Sequence, residues 1–288
     1  MSYRNNPDLK PEYIRARAKL VYEKALTGRT LIAPEPVPGD SVSWLVEGDI
    51  VGQVDWISDE GGFPNLDFKW GKDSKPTRPF GARFTVSRME RLWHRAVAVG
   101  RKINRTTYRI RSFEDNVIYN AILTAGGANS VASSVWNEQG GDPLDDIQLA
   151  KQTMKDATDG IEPDTIIMSD LLYRQLIKYD FVKNALYTNA KVAETGYLPQ
   201  IAGLRIVRED KIDPLNTGQY ACVRSGDFGY IGESIPFTTT TRSGEMMGNP
   251  LIDNEYFCFA MNAPVIDSPE MIVIMTGAYN PPPPPAGP

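Results

Sequence analysis

The chain has 288 residues, of which 41% are hydrophobic and 23% are charged, a composition typical of a folded globular protein. Its net charge of −5 is unevenly distributed, because 20 basic and 13 acidic residues precede Ser112, whereas 11 basic and 23 acidic residues follow from there. No apolar run approaches the roughly 18 residues that cross a membrane, and residues 1–10 lack the apolar core of a signal peptide, so we expect no membrane partner and synthesis in the cytoplasm.

The N-terminal segment combines a short helix signal with a proline-broken stretch. Residues 10–27 mix apolar and basic side chains at helical spacing, and Gly28 follows them, as a glycine often follows a helix. The sequence APEPVPG at residues 33–39 excludes regular helix or a central strand, because proline fixes φ and lacks an amide donor. We therefore predict a small helix joined to the body by an extended arm.

A strand and a long polar insertion come next. Residues 42–57 carry apolar side chains on alternate positions, which predicts a β-strand. Residues 58–79 are rich in glycine, proline and lysine, and the flanking apolar alternation predicts a long, mobile two-stranded finger or loop. Such a finger buries little of its own surface, so we expect a neighbouring molecule to order it.

Helical patterns follow the finger. Residues 83–91 begin as a strand and pass into a helix that continues through Gly100. A stronger helix is predicted to begin at Ser112, because Asp115 three residues later gives a capping-box-like pattern. Apolar residues at helical spacing come after it, and Gly126 with its following glycine ends the helix.

Positive charge is most concentrated over residues 78–111, where ten basic residues accompany the lone Glu90. A molecule charged in this way can offer one face to a polyanion and remain soluble on the other. A solvated basic face without any partner fits the sequence equally well.

The C-terminal half begins with clear local signals. Asp142 and Pro143 are placed as N-cap and first residue of a helix over residues 143–158, residues 164–168 predict a buried strand, and Ser169 caps a short helix. Beyond Ala202 the chain is predicted to be mostly β. Strands are expected at residues 204–207, 220–223, 230–235, 256–261 and 271–275, and the closing PPPPPAGP predicts an extended tail.

Enzyme and metal patterns are weak in this chain. Cys222 and Cys258 lack metal-ligand spacing and are expected to be buried, and His94 is the single histidine. The sequence GDFGYIG lacks the Lys-Ser/Thr of a phosphate-binding loop. The adjacent carboxylates Asp145 and Asp146 are interpreted as helix-dipole partners or solvated turn residues and not as an acid/base pair. We therefore predict a protein that is not an enzyme and needs no cofactor.

Three segments carry a resemblance to a known family. They are PDTIIMSDLLYRQLIKYD at residues 163–180, IAGLRIVRED at residues 201–210 and EDNVIYNAILTAGG at residues 114–127. Together with the order of elements over residues 40–276, they resemble the HK97-like major capsid proteins of tailed viruses, whose relatives include the encapsulin shells.

The resemblance implies an α+β chain with the HK97-like capsid fold. Its implied parts are an N-terminal arm (residues 1–39) lying on neighbouring subunits, an extended loop (about 50–82) within a peripheral region (40–142) whose spine helix covers residues 112–125, an axial domain (143–245), return strands to the peripheral domain (246–276) and a proline-rich tail (277–288).

The resemblance also implies a function. The chain is expected to self-assemble into hexamers and pentamers that form an icosahedral shell around packaged double-stranded DNA, which it would contact without reading sequence. A portal protein and a separate scaffolding or decoration protein are the other implied partners, and assembly would take place in the host cytoplasm. An encapsulin-like nanocompartment shell and a soluble α+β enzyme are the alternatives.

Two groups of residues are candidates for these roles. The expected inter-subunit loop residues are Trp56, Lys69, Trp70, Lys72, Lys75 and Arg78. The expected lumen-facing or DNA-facing basic residues are Arg83, Arg88, Arg91, Arg95, Arg101, Lys102 and Arg105. Some family members crosslink a loop lysine to an asparagine of a neighbour, and no motif here fixes such a pair among the loop lysines and Asn249, Asn254 or Asn262.

Overall fold

The computed structural model describes residues 11–23, 27–51, 67–92, 96–138, 140–182, 198–243 and 252–280. The helices in these ranges are α1 (Pro11–Glu23), α2 (Arg88–Leu92), α3 (Ala96–Gly126), α4 (Pro143–Ala157) and α5 (Asp170–Ile177). The strands are β1 (Pro34–Pro36), β2 (Ser41–Val51), β3 (Asp67–Pro76), β4 (Arg78–Ser87), β5 (Ser130–Ala132), β6 (Thr165–Met168), β7 (Gln200–Ile201), β8 (Leu204–Arg208), β9 (Tyr220–Val223), β10 (Gly229–Ser243), β11 (Ile252–Ile266) and β12 (Ile272–Thr276).

A four-stranded sheet in the order β1-β10-β11-β4 forms one half of the molecule. Its centre is the long antiparallel pair β10–β11, and β4 continues the antiparallel pairing on the far side of β11. The proline-containing β1 lies at the edge, in parallel with β10, which is where a strand that lacks amide donors is tolerated. Helices α1 and α3 cover this sheet.

A six-stranded sheet in the order β5-β12-β9-β6-β8-β7 forms the other half. All four residues of β6 are buried, because both faces of the sheet are covered. Ile166 and Met168 pack in the cluster that contains α4 and α5, whereas Ile167 packs in the cluster that contains α3. Because both faces of the strand are buried, Ile166, Ile167 and Met168 are all apolar.

Helix α3 joins the two halves. Val99, Ile103 and Ile110 face the four-stranded sheet, and Ile118 and Ile122 contribute to the cluster beneath the six-stranded sheet. A Cβ atom at Gly126 would lie 2.5 Å from Cγ2 of Ile272. The last turn of the helix can therefore approach β12 only with glycine at this position.

Strands β2 and β3 form a separate two-stranded antiparallel ribbon, with register pairs from Ser41–Pro76 to Val51–Asp67. The strand predicted at residues 42–57 is confirmed up to Val51, and the finger predicted at residues 58–79 is confirmed for its second strand, β3. Residues 52–66, between the two strands, lie outside the described residues.

The predicted N-caps at Asp142 and Ser169 are confirmed. Oδ1 of Asp142 accepts hydrogen bonds from the N–H groups of Leu144 (2.9 Å) and Asp145 (3.3 Å) at the start of α4. Oγ of Ser169 accepts from Leu172 N–H at 3.4 Å at the start of α5. The predicted strands from residue 204 onward are all present, and β10 and β11 extend well beyond the predicted bounds.

The predicted helix start at Ser112 is wrong. Helix α3 begins at Ala96 and runs unbroken through Ser112. The prediction failed because the first half of the helix presents only a narrow apolar stripe to the four-stranded sheet, so its helical periodicity is weak in the sequence. Asp115 does not act in a capping box; its Oδ1 accepts a hydrogen bond from the N–H of Gly28 at 3.0 Å. Gly28 packs closely against the helix, since a Cβ there would meet Cδ1 of Ile118 at 2.8 Å.

Packing within the chain bears on two of the expected boundaries. Ile14, Ala18 and Tyr22 of α1 are buried in the same cluster as α3 and β10, and the contact of residues 1–39 with neighbouring subunits stays a prediction. The apolar stripe of α1 finds its partner within its own chain. The boundary expected at residue 245 separates β10 from β11, yet these strands pair along their length, so β10 belongs with the four-stranded sheet.

Candidate assembly surfaces

The β2–β3 ribbon is attached to the body at its base. Val42 is buried against Ala263 and Val265 of β11. Nζ of Lys75 donates a hydrogen bond to the carbonyl of Pro264 at 2.7 Å, and the N–H of the buried Thr77 donates to Asp40 O at 2.9 Å just beyond it. These contacts fix the direction in which the ribbon leaves the four-stranded sheet.

Beyond its base the ribbon is exposed. Leu45 is 61% exposed, and Lys72, Asp73 and Ser74 are exposed on the opposite strand. An isolated two-stranded ribbon is marginally stable in water because it has no sheet face to bury.

The predicted loop residues fall into three groups. Lys72 is exposed on the ribbon, Lys75 is half-buried at its base and Arg78 is exposed at the start of β4. Burial lowers the pKa of Lys75, and repulsion from Arg78 adds to this effect. Lys69 and Trp70 lie in β3, but their side chains are outside the described residues, and Trp56 is outside them altogether. Their contact with another subunit stays a prediction.

A buried polar network at Glu114 connects four elements. The Glu114 carboxylate is almost fully buried and accepts hydrogen bonds from Arg29 (2.7 Å), from Asn262 Nδ2 (2.6 Å) and from the Tyr22 hydroxyl. Arg29 also lies 2.7 Å from Glu233 on β10. Burial raises the pKa of Tyr22, and the charge of Glu114 raises it further. The network joins the N-terminal segment, α3 and the β10–β11 pair.

Asp115, the next residue, connects the same segment to the six-stranded sheet. It lies 3.8 Å from Nζ of Lys211, which is 3.3 Å from Glu209 after β8, and Glu209 accepts from Oγ1 of Thr27 at 2.8 Å. Burial raises the pKa of Asp115 to about 6, although the Gly28 N–H and Lys211 oppose this shift. From the sequence, Asp115 is predicted to lie in a capping box and Glu114 has no predicted role, although two adjacent carboxylates beside an apolar helix stripe are the available signal.

A basic stripe lies on the exposed side of α3. Arg101, Arg105 and Arg109 are exposed and repeat every four residues, so they share one helix face. Tyr108 beside them is 58% exposed, and the guanidinium of Arg111 lies 5.1 Å from the centre of its ring. A cavity of about 940 Å³ between α1, β4 and α3 is bordered by this face.

The other predicted basic residues lie elsewhere. Lys102 turns away from the stripe to Glu90 at 2.7 Å and to the carbonyl of Thr85 at 3.1 Å. Arg83 lies on β4 and pairs with Glu255 at 3.1 Å. Arg88 is exposed at the start of α2, where Arg91 also lies with its side chain outside the described residues, and Arg95 is outside them altogether. The structure therefore brings together Arg101 and Arg105 and adds Arg109 to them.

The interpretation of Asp146 as a solvated turn residue is wrong, whereas its position in the first turn of α4 agrees with a helix-dipole partner. Asp146 is buried, and its carboxylate accepts hydrogen bonds from the Ser133 hydroxyl (2.6 Å), the Ser134 hydroxyl (2.7 Å) and the Trp136 indole N–H (2.7 Å). Asp145 is exposed, as expected. Asp146 thus fixes the segment between β5 and α4 and has a structural role.

Other chemistry finds little support in the described ranges. Cys222 and Cys258 are buried and unpaired, and burial raises the pKa of Cys222 to about 12, so that its thiol is unreactive. No cluster of His, Cys, Asp or Glu side chains suited to a metal ion occurs among the residues that the structure describes. No helix in the same ranges is long and apolar enough to cross a membrane.

Residues 74–254, more than half of the chain, match the protein family described as phage capsid protein. No curated protein matches the chain in sequence.

Solved structures with the same fold have low sequence identity. A virus-like particle protein from Pyrococcus furiosus aligns with a TM-score of 0.62 and 17% identity, covering 92% of this chain and 98% of its own. A protein of Microbacterium phage Oxtober96 aligns with a TM-score of 0.66 and 13% identity, covering 87% and 90%. The capsid structure of cyanophage P-SCSP1u aligns with a TM-score of 0.63 and 12% identity, covering 89% of each chain.

Proposed function

The chain belongs to the phage capsid protein family and has the HK97-like capsid fold, and from this premise we propose that it forms hexamers and pentamers that close an icosahedral shell around double-stranded DNA. As a capsid protein it is a structural component of the virion. The proposal concerns the capsomers, the closed shell and its contents.

The β2–β3 ribbon is the observation that carries this proposal. It is attached at Val42 and Lys75 and then leaves the body with Leu45 exposed. A ribbon of this length gains order when the surface of another copy covers it. We assign it to the extended loop that overlaps an adjacent subunit, with the remaining predicted loop residues on or near it.

The two sheets suggest how the subunit is used. We assign the four-stranded sheet with α3 as spine to the peripheral domain, and the six-stranded sheet with α4 and α5 to the axial domain around capsomer centres. The networks at Glu114 and Asp115 hold the spine helix to both sheets. The two domains would then act as one stiff unit that transmits forces between neighbouring subunits.

The basic stripe supports contact with packaged DNA. Exposed arginines at Arg101, Arg105 and Arg109 can bind phosphates and release counterions without reading bases. We place this face toward the lumen. A portal protein and a separate scaffolding or decoration protein complete the proposed set of partners, and assembly would take place in the host cytoplasm.

A shell that holds no viral DNA is the second candidate. The similarity to the virus-like particle protein over 92% of the chain favours keeping it. The two candidates differ in content and share the closed shell.

The purified full chain tests the proposal by light scattering coupled to size-exclusion chromatography and by negative-stain electron microscopy. We expect capsomers or closed particles, and particles made during infection should protect double-stranded DNA from nuclease. Particles without DNA would favour the second candidate. A 32.0 kDa monomer at every concentration would overturn the shell proposal.

A further inference from the structure

A groove follows the exposed side of α3 beneath the base of the ribbon. Two adjoining cavities of about 400 Å³ each share Lys75, Val117 and Pro264 as lining residues, so they form one continuous channel. Phe80 and Phe113 line one end, and Trp44 lines the other. We call this channel the Phe113 groove.

Phe113 is an unusual surface residue. It is 52% exposed and packs on one side against Phe80, with ring centroids 5.6 Å apart. Pro76 and Pro79 flank the pair. An exposed aromatic side chain in an apolar channel is typical of a binding surface rather than of a solvated helix face.

The charged side chains that border the groove are hydrogen-bond donors. Lys75 and Arg78 carry several N–H groups and no acceptor, and the one carboxylate at the floor, Glu114, already accepts from Tyr22, Arg29 and Asn262. The amide and hydroxyl groups of Asn120, Thr124 and Asn262 also line the groove. The two cations favour a ligand that is apolar and rich in carbonyl acceptors.

A proline run has this chemistry. Each proline has a carbonyl but no amide N–H, and consecutive prolines favour the polyproline II conformation, which aromatic grooves recognise. The chain carries such a run at residues 281–285. Among the segments outside the described residues that are longer than one residue, 281–288 is the one without a charged side chain.

We propose that the proline run at residues 281–285 of one copy binds in the Phe113 groove of a neighbouring copy. Asn280 is held beside α4, since its N–H donates to Asn137 Oδ1 and its Nδ2 to Glu138 Oε1, both at 3.0 Å. The run therefore begins at the six-stranded sheet, whereas the groove lies at the four-stranded sheet. Five prolines in this conformation extend about 15 Å, so the groove that they occupy must belong to a subunit packed directly beside Asn280. The inference rests on the proposed function, because it needs copies packed side by side.

Photocrosslinking of the full chain tests this contact. The change Phe113→p-benzoylphenylalanine places a photoreactive group in the groove, and particles are assembled from an equal mixture of ¹⁴N- and ¹⁵N-labelled chains. Glu270 is the last glutamate, so cleavage after glutamate releases the tail as residues 271–288. We expect this peptide crosslinked to the residue-113 peptide in mixed isotope pairs, and no such product from a control chain with Tyr108→p-benzoylphenylalanine on another face of α3.

A second measurement remains informative if shells do not form. A fluorescent NPPPPPAGP peptide is titrated into the full chain and into its Phe113→Ser variant, and we expect about tenfold weaker binding to the variant. If shells form but the crosslinks reach only the same chain, the ribbon of another copy or nothing, the inference fails while the proposed function stands. Equal peptide affinity for both chains, or no binding, would also overturn it.

Discussion

The Arg29 guanidinium lies 2.7 Å from the buried carboxylate of Glu114, which is 85 residues away in sequence. Arg29 belongs to the short segment after α1, and Glu114 lies in the middle of α3. The pair therefore fastens the N-terminal segment to the helix that joins the two sheets. Removing one partner would leave a charge with little water around it, which is costly in a protein interior.

We expect Glu114→Gln to lower the free energy of unfolding of the subunit by about 3 kcal/mol, because Arg29 and Tyr22 lose the carboxylate to which they donate. Urea unfolding followed by tryptophan fluorescence measures the change. The matched control is Asp227→Asn, which removes an exposed pair with Arg224 and should change stability by no more than about 0.5 kcal/mol. Equal effects of both variants would show that the network contributes no more than a surface ion pair.

Asp115 should give the subunit a pH-dependent stability. Its pKa of about 6 in the folded state lies above the ordinary 3.8, so the unfolded chain releases this proton first as the pH rises. Between these two values the folded state binds more protons, and the free energy of unfolding therefore falls as the pH increases. The contribution is fully present below pH 3.8, is lost by about pH 6 and amounts to about 2–3 kcal/mol.

The variant Asp115→Asn cannot ionise but keeps an oxygen for the Gly28 N–H. Relative to the unmodified chain, its free energy of unfolding should rise by about 2 kcal/mol between pH 4.5 and pH 7. Urea titrations at four pH values measure this difference. A difference that stays constant with pH would contradict the raised pKa.

Adjacent residues at the start of α4 allow a matched comparison. We expect Asp146→Ala to cost about 3 kcal/mol, since Ser133, Ser134 and Trp136 lose their shared acceptor. Asp145→Ala, one residue earlier and exposed, should cost about 0.5 kcal/mol as a helix-dipole partner. Thermal unfolding of both variants gives the comparison, and similar losses would mean that burial of Asp146 contributes nothing.

Signals that depend on nearby residues could be predicted from the sequence. Asp142 and Ser169 were identified as N-caps because the groups they bind lie within three residues. The buried strand β6 was identified because both of its faces are apolar. The order of these elements was enough to indicate the fold.

Features that depend on distant partners could not be predicted. Ser112 resembled a helix start because residues 101–111 are mostly polar, and only their packing on the four-stranded sheet shows that they are helical. The partners of Glu114 and Asp115 lie more than 80 residues away. Asp146 resembled a surface acid because its donors precede it in an irregular segment.

Shortening the ribbon should separate folding from assembly. Trp44 and Asp73 face each other in the register, so residues 45–72 can be replaced by an Asn-Gly turn that keeps Val42, Trp44 and Lys75 at the base. We expect a subunit whose free energy of unfolding changes by less than about 1 kcal/mol, because the side chains that pack on the body at the base of the ribbon are kept. Negative-stain microscopy should show monomers or capsomers and no closed shells, whereas closed shells at normal yield would refute the assignment of the ribbon to the inter-subunit loop.

The basic stripe on α3 should affect DNA retention more than shell formation. Changing Arg101, Arg105 and Arg109 together to Gln removes three exposed charges from one helix face, and the slope of log K against log salt for duplex DNA should fall by about 2–3. Nuclease-treated particles of this variant should retain less DNA, measured by the ratio of absorbance at 260 and 280 nm, while particle yield stays unchanged. The control changes Arg174, Lys178 and Arg205 to Gln, which alters the net charge equally at exposed positions in α5, directly after it and in β8. An equal loss of DNA in the control would show that the overall charge of the protein, and not the stripe, determines DNA retention. A loss of particles in the stripe variant would place the stripe at an interface between subunits.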